Sequence, residues 1–483
     1  MIGIIPAAGS GTRAYPYTQG LPKGMIDVAG QPNIERLVAI MRDQLRVTRI
    51  VVVVGTLGHY IRDYLGDGSR HGVPISYVQN DAVERGLGYS LLLARPFVDD
   101  YCCVMLSDEC YVDSNHADLL ATDYRDCVAM CAVQTTDAPE VIARNYAVYA
   151  TEGRVRRVIE KPTDTRGALL GLGTLLLSRE FFEYLGDAVA AGDAQDPSDP
   201  ISVLDRLCLA GAHVGCVELV GLYVNINDRD ALNLARITVR SQSFAASTVG
   251  LALLMKGNAD DTARALREFG ALGRFTQIVL VAPPNAATPT MPDGVGLVRA
   301  SSSLYGDMMR CGFEALTTDI IVCAHSDGSC KPRDVSKLLE YLKEADLVVG
   351  TRTTRQLVEQ GSNMRGIVRL AHVILAKILE AVWWDYEPRF TDLGCTYRAA
   401  WRSTYLLIHN RLRASGPEYS VEMLLEVIKC RRRVIEIPVS FGSRRRGVKE
   451  PDQTLYTFYS MLSLIVRRRF AQVRPRVRAA QSR

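Results

Sequence analysis

The stretch that most constrains how this chain can fold runs from Ile4 to Lys23 and reads IIPAAGSGTRAYPYTQGLPK. An apolar run of strand character ends in Ala7-Ala8-Gly9-Ser10-Gly11-Thr12-Arg13, and a lysine follows Pro22. Glycines there let the backbone approach a phosphate chain and leave its N–H groups free to donate, while Arg13 and Lys23 supply positive charge. The stretch therefore reads as a phosphate cradle at the carboxyl end of a buried strand. Two common cradles do not fit it. A P-loop places Lys-Ser/Thr directly after its last glycine, and a dinucleotide fold needs a third glycine opening a helix.

The alternation that follows sets the fold class. Asn33 to Gln44 has helical periodicity, Arg49 to Gly55 is a β-branched run suited to a parallel sheet, and helix His59 to Leu65, strand Pro74 to Gln79, helix Leu87 to Ala94 and strand Tyr101 to Leu106 continue the pattern. After a closing helix, Asp228 to Arg240, the pattern restarts with strand Val249 to Met255, helix Asp260 to Phe269, strand Gln277 to Ala282, helix Leu304 to Leu316 and strand Asp319 to Ala324. This predicts an α/β protein of two Rossmann-like, GT-A type domains, each a mainly parallel twisted sheet flanked by helices. At 483 residues the chain exceeds what one core supports. The expected division is a first domain over 1–240, a linker over 241–247, a second domain over 248–450, and an amphipathic helix with a basic tail over 451–483.

The spacing in the cradle resembles that of the sugar-phosphate nucleotidylyltransferases. Their motif GxGTRxxPxTxxxPK is matched by Gly9, Gly11, Thr12, Arg13, Pro16, Thr18, Pro22 and Lys23. The resemblance implies that Ala8, Gly9, Gly11, Thr12, Gln79 and Gly86 bind the nucleotide, which would be UTP, dTTP or CTP. Gln79 followed by Gly86-Leu87-Gly88 looks like the segment that meets the nucleobase, in a form similar to the uridylyl branch. The strand CCVMLSD ends in Asp108, where the family has a metal-binding aspartate. An acid there is costly unless it binds a cation or caps a helix. VRRVIEKP matches the family's EKP, which orients Glu160 to sugar hydroxyls and Lys161 to the sugar phosphate, with Gly173 also on the sugar side. The late metal aspartate falls at Asn225, an oxygen ligand for Mg²⁺ that carries no charge. Tyr146-Ala147 stands where the family has Tyr-Gly, adding a methyl group on the sugar side.

These assignments imply in-line displacement at the α-phosphorus of a nucleoside triphosphate by a sugar 1-phosphate. Its oxygen is anionic near pH 7 and needs no strong base, so positioning and charge neutralisation dominate. Arg13 and Lys23 would hold the triphosphate, Asp108 and Asn225 the Mg²⁺, and Lys161 the incoming phosphate. The cradle itself reads triphosphate rather than acceptor, so a phosphocholine-like acceptor is an alternative.

The second half, from about Thr248 to Lys449, resembles family-two glycosyltransferases of the dolichyl- and polyprenyl-phosphate branch. The likeness rests on IIVCAHSDGSCKPRDVSKLL, DLVVGTR, TDLGCTYR, EYSVEMLLEVI and IPVSFGSRRRG. It implies that Asp327 ligates a divalent ion, Mg²⁺ or Mn²⁺, and acts in catalysis, and that Arg352, Asp392, Glu422, Arg444 and Arg445 bind substrate. The domain departs from the family: Lys256-Gly257-Asn258 replaces the Asn-Glu opening, Ala282-Pro283-Pro284-Asn285 replaces the paired aspartates, and His325 stands for the first acid of DxD. The expected whole is a bifunctional enzyme that makes an NDP-sugar and transfers its sugar, with polyprenyl phosphate as acceptor. The alternative keeps the first activity and makes the second domain a catalytically degenerate binding or scaffold module.

Charge and composition bound the partners. A net charge of +4 is too small to imply nucleic acid. Met1 leads into a core strand, so no signal peptide is expected, and twelve cysteines without a CxxC pair fit reduced thiols in a cytoplasmic protein. The run Leu455 to Val466 is apolar for twelve residues, and from Arg467 on the chain carries seven arginines and no acid. That pattern suits peripheral contact at the inner membrane surface, or a final helix docked on the core.

Overall fold

A computed structural model describes residues 1–9, 11, 18, 20–191, 199–354, 357, 366–386, 388–442 and 454–470. The chain forms two compact units, Met1–Val239 and one that starts at Arg240.

In the first unit β1 (Ile2–Ala7) precedes a short hairpin of β2 (Asp27–Val28) and β3 (Gln31–Pro32), then α1 (Asn33–Asp43), β4 (Ile50–Val54), α2 (Gly58–Leu65), β5 (Ile75–Gln79), α3 (Gly86–Ala94) and β6 (Tyr101–Met105). The strands β7 (Glu109–Val112), β8 (Ala129–Gln134), β9 (Tyr146–Thr151), β10 (Arg154–Glu160), β11 (Leu169–Ser178), β12 (Val214–Glu218) and β13 (Leu222–Asn225) follow, and α4 (Arg229–Phe244) comes last. The main sheet has the order β5-β4-β1-β6-β11-β8-β12-β10-β9, while β7 and β13 form a separate ribbon. The β-branched run of β4 is buried at every residue, as a strand flanked on both faces requires. Ile34, Leu37, Val38 and Met41 give α1 its buried face at helical spacing.

The sheet is parallel through β5, β4, β1 and β6. Beyond them β11 inserts antiparallel between β6 and β8, β8 and β12 pair parallel again, and β10 runs antiparallel to both β12 and β9. The expected mainly parallel sheet is present, and a continuous apolar strand buried on both faces carries no signal of its direction, so the reversed insertion of β11 is not legible in its residues.

The second unit contains β14 (Val249–Leu254), α5 (Ala259–Gly270), β15 (Gln277–Ala282), β16 (Val295–Arg299), α6 (Tyr305–Ala315), β17 (Ile320–His325), α7 (Val335–Leu342), β18 (Leu347–Thr351), α8 (Gly366–Val382), β19 (Arg398–Trp401), α9 (Tyr419–Lys429), β20 (Val434–Pro438) and α10 (Thr454–Phe470). Its sheet order is β16-β15-β14-β17-β19-β18-β20, again parallel except around one inserted strand, β19. Asn258, in the departed opening motif, caps α5 by accepting from the Asp261 N–H at 2.7 Å.

Two boundaries differ from the sequence expectation. The stretch 241–247 is not wholly a linker: α4 continues through Phe244, whose ring packs edge-on against Trp401. The terminal helix α10 is not separate from the second unit, since Met461 and Ile465 are buried in its core.

Candidate active site

The cradle forms where β1 ends. Gly55, just after β4, lies so close that a Cβ there would meet the Ala8 carbonyl oxygen at 2.5 Å. Only glycine lets the two strand ends converge. Gly11 has φ +66°, and Thr18 Oγ1 donates to its carbonyl at 2.7 Å, closing the stretch on itself. Gly9 is exposed beside the buried Ala8. Thr12 and Arg13 lie outside the described residues.

Lys23 opens a single turn, Lys23–Met25, which sets its amine on the acid at the end of β6. Its Nζ lies 2.6 Å from Asp108 Oδ2 and donates to Asn227 Oδ1 at 2.5 Å. The group expected to hold phosphate and the group expected to hold metal are thus ion-paired with each other. Asn33, the first residue of α1, fixes this loop by donating Nδ2 to the carbonyls of Ser107 at 3.2 Å and Glu109 at 2.7 Å.

Asn225 stands opposite Glu109 across the β7–β13 ribbon, and the next N–H, of Ile226, donates to the Asp108 carbonyl at 2.8 Å. Asn225 Oδ1 is buried without a hydrogen-bond partner. An orphaned carbonyl oxygen beside the Asp108 segment fits an oxygen-seeking divalent cation such as Mg²⁺. Among the described residues no group of three or more His, Cys, Asp or Glu side chains converges to hold a metal without help from such amide oxygens.

The spacing gave no notice of Glu109. Its carboxylate accepts from the Gly173 N–H at 2.8 Å and from the hydroxyls of Tyr111 at 2.5 Å and Tyr223 at 2.7 Å. Burial pushes its pKa up to about 7, aided by the nearby charge of Asp108 and opposed by these donors. Gly173, expected on the sugar side, therefore spends its N–H on Glu109. Asn227 was also missed, although it lies one strand period beyond Asn225 in the same segment.

On the expected sugar side, Glu160 closes β10 and pairs with Lys161 at 2.7 Å, both partly exposed. Lys161 has φ +45°, and its N–H donates to the Asn145 carbonyl at 2.8 Å. Tyr146 donates its hydroxyl to the Leu172 carbonyl at 2.5 Å, its ring lying where a Cβ on Gly171 would sit, 2.0 Å away. The Ala147 methyl, expected near the sugar, is packed into the core instead. On the expected base side, Gln79 ends β5 and accepts from Arg62 at 3.2 Å, and Gly86, with φ +82°, starts α3.

In the second unit Asp327 follows β17, and its Oδ1 accepts from the Ser329 N–H at 3.0 Å and hydroxyl at 2.5 Å. His325 Nε2 lies 3.3 Å from Thr396 Oγ1. Arg352 and Asp392 form a two-point ion pair at 2.7 and 2.8 Å, joined by His372 at 3.3 Å. Burial alone would raise the Asp392 carboxyl, and the guanidinium beside it holds it far below the usual range. Glu422 is buried and accepts from the N–H groups of Arg413 and Ala414, both at 2.8 Å, and from Arg468. Arg352, Asp392 and Glu422, expected to meet substrate, are thus bonded within the fold. Arg444 and Arg445 lie outside the described residues.

Comparison with known proteins agrees with this layout. The Nucleotidyl transferase family model matches residues 2–223, and the Glycosyl transferase family 2 model matches residues 291–396. The chain is 33% identical over 238 residues to a UTP–glucose-1-phosphate uridylyltransferase, AglF, of Haloferax volcanii, covering 48% of this chain and 94% of that protein. It is 30% identical over 200 residues to a UTP–glucose-1-phosphate uridylyltransferase of Synechocystis, covering 38% of this chain and 51% of that protein. A glucose-1-phosphate thymidylyltransferase of Xanthomonas campestris is 31% identical over 176 residues, 35% of this chain and 58% of that protein.

Proposed function

This chain belongs to the nucleotidyl transferase family, and we propose that its first domain transfers a nucleotidyl group from a nucleoside triphosphate to a sugar 1-phosphate. The observation that carries the reading is the meeting of Lys23, Asp108, Asn225 and Asn227 at the end of β6. An oxygen of the sugar phosphate attacks the α-phosphorus, a new P–O bond forms, and the bond to the β-phosphate breaks to release pyrophosphate. Lys23 and Arg13 hold the triphosphate, and Lys161 holds the acceptor phosphate in line. Asp108 and Asn225 hold Mg²⁺, which neutralises charge on the phosphates when bound. The relatives named above support UTP, with dTTP as the neighbouring choice.

The second domain then transfers the activated sugar to a polyprenyl phosphate, with Asp327 at its metal and the terminal helix at the inner membrane surface. The family-two match supports glycosyl transfer by this domain. A second reading, in which this domain only binds product or a partner, is favoured by the pairing of Arg352 with Asp392 and of Glu422 with Arg468.

The test incubates the full chain with each nucleoside triphosphate, Mg²⁺ and a panel of sugar 1-phosphates and phosphocholine, and follows pyrophosphate. Release with UTP and a sugar 1-phosphate is expected; release only with phosphocholine would overturn the acceptor assignment. The labelled product is then offered to polyprenyl phosphate. Lipid-linked label supports the transferase, and its absence across all sugars with intact nucleotidyl transfer favours the binding module.

A further inference from the structure

The turn that carries Asp108 is anchored on one residue of β11. The Leu106 N–H donates to the Gly173 carbonyl at 3.1 Å, and the Gly173 N–H donates back to the Glu109 carboxylate at 2.8 Å, so the two ends of the turn take both backbone groups of Gly173. The turn closes with the Glu109 N–H on the Leu106 carbonyl at 3.2 Å, which leaves Ser107 and Asp108 at its corner. Only glycine fits at the anchor, because a Cβ on Gly173 would lie 2.5 Å from the Glu109 carboxyl carbon.

The strand that carries Asn225 is fastened to the same turn. Tyr223 pairs with Tyr111 as Asn225 does with Glu109, and residues two apart share a face, so these four side chains lie on one face of the β7–β13 ribbon. The Tyr223 hydroxyl donates to Glu109 Oε1 at 2.7 Å, two residues before the orphaned Asn225 Oδ1. The Glu109 carboxylate thus joins β7, β11 and β13.

Its own oxygens are spent on these contacts. Oε1 takes Gly173 and Tyr223, Oε2 takes Gly173 and Tyr111, and the residue is 2% exposed. Behind it the donors run in one direction. The Thr174 hydroxyl donates to the Tyr111 oxygen at 3.0 Å, which leaves its own oxygen to accept from His116 Nε2 at 3.2 Å and His116 Nδ1 to accept from the Ser114 hydroxyl at 2.7 Å. His116 is wholly buried, and burial pushes its pKa down to about 4, so the ring is neutral and its one proton sits on Nε2. A row of donors aligned in this way ends on an acceptor, and Glu109 is that acceptor.

We infer that Glu109 is a positioning residue of the metal site: it fixes the Asp108 turn and the Asn225 strand to one carboxylate and so sets the spacing of the two oxygen ligands. The inference rests on the roles proposed above for Asp108 and Asn225. A divalent cation binds tightest to ligands already held at their separation, and partners behind the ligands are worth about tenfold to a hundredfold in affinity.

The test titrates Mn²⁺, as a probe for Mg²⁺, into the full chain with the α,β-methylene analogue of UTP and no acceptor, reading the free ion by EPR. Asp108→Ala defines the ions bound elsewhere. Tyr223→Phe removes one hydroxyl, and Glu109→Asp keeps the charge but shortens the reach. The Kd for Mn²⁺ should rise about tenfold in Tyr223→Phe and at least as far in Glu109→Asp. Pyrophosphate release by Tyr223→Phe at saturating Mg²⁺ should stay within about twofold of the wild type, because the bound ion then draws its ligands into place. Thermal unfolding checks each fold, and Tyr223→Phe decides alone where Glu109→Asp does not fold. A lowered unfolding temperature with an unchanged Kd makes Glu109 a structural residue only and overturns the inference. Wild-type binding by Glu109→Asp also overturns it, since charge without reach then suffices. A wild type that binds no Mn²⁺ beyond Asp108→Ala overturns it outright. The reading of the domain fails separately: no pyrophosphate release with any nucleoside triphosphate overturns nucleotidyl transfer, while the Mn²⁺ comparison still judges Glu109.

Discussion

The two domains share one seven-strand plan and use it differently. In the first, β5-β4-β1-β6-β11-β8-β12 leads to an acid at the end of β6; in the second, β16-β15-β14-β17-β19-β18-β20 leads to an acid just after β17, and in each a single antiparallel strand follows the acid-bearing one. In the first domain the charged groups gather at the carboxyl edge around Lys23 and Asp108, each partly reachable by solvent. In the second, Asp392 is wholly buried against Arg352 and Glu422 against Arg468. A common scaffold therefore does not carry a common state of its polar groups. What differs is whether the charges are left for a ligand or spent on holding the fold.

The largest expected effect tests the first half of that contrast. Lys23→Ala should lower pyrophosphate release by on the order of a thousandfold with the unfolding transition unchanged, since one preorganised cationic group is lost at the phosphates. Undiminished release would remove Lys23 from the mechanism and with it the contrast. The counterpart in the second domain is Asp392→Asn. It leaves Arg352 buried without its anion and should cost the second domain about 3 to 5 kcal/mol in denaturant unfolding, while nucleotidyl transfer persists. A neutral result would mean that Arg352 is kept for a ligand after all.

Asn227→Ala sharpens the comparison further. Lys23 keeps Asp108 but loses its second acceptor, so the KM for the triphosphate should rise by roughly tenfold or less. Steady-state kinetics at saturating acceptor will separate this from a change in kcat.

The smallest effect concerns Glu436, which accepts from the Thr391 and Asp392 N–H groups and has its pKa raised to about 7, chiefly by burial. A carboxyl with a raised folded pKa binds its proton more tightly in the native state. Its contribution therefore falls as pH rises from about 4.5 to about 7 and is flat above. Glu436→Gln should flatten that part of the stability profile, measured by thermal unfolding across the range.

Much of this layout was legible in the residues because it is local. The cradle's spacing identified Lys23, the strand CCVMLSD identified Asp108, a β-branched run identified β4, and the restart of the strand–helix alternation identified β14. What was not legible depends on partners distant in the chain. Arg352 and Asp392 are forty residues apart, and nothing in either motif says they will neutralise each other. The direction of β11 is set by its neighbours rather than by its apolar run. The end of α4 depends on Trp401, against which Phe244 packs, whereas SQSFAAS alone reads as a connector. Glu109 escaped notice because an acid beside Asp108 looks like a second surface charge until Gly173, Tyr111 and Tyr223 close around it.

The ion pair of Lys23 with Asp108 has a consequence for the order of events. An anion that captures the amine strips the carboxylate of its counterion, and a cation that captures the carboxylate does the same to the amine. Either arrival alone trades one neutralised charge for another left bare. Both together are a double exchange in which no charge is stranded, so the triphosphate and its metal ion should each raise the other's affinity, and the site responds to the complex of the two rather than to either component.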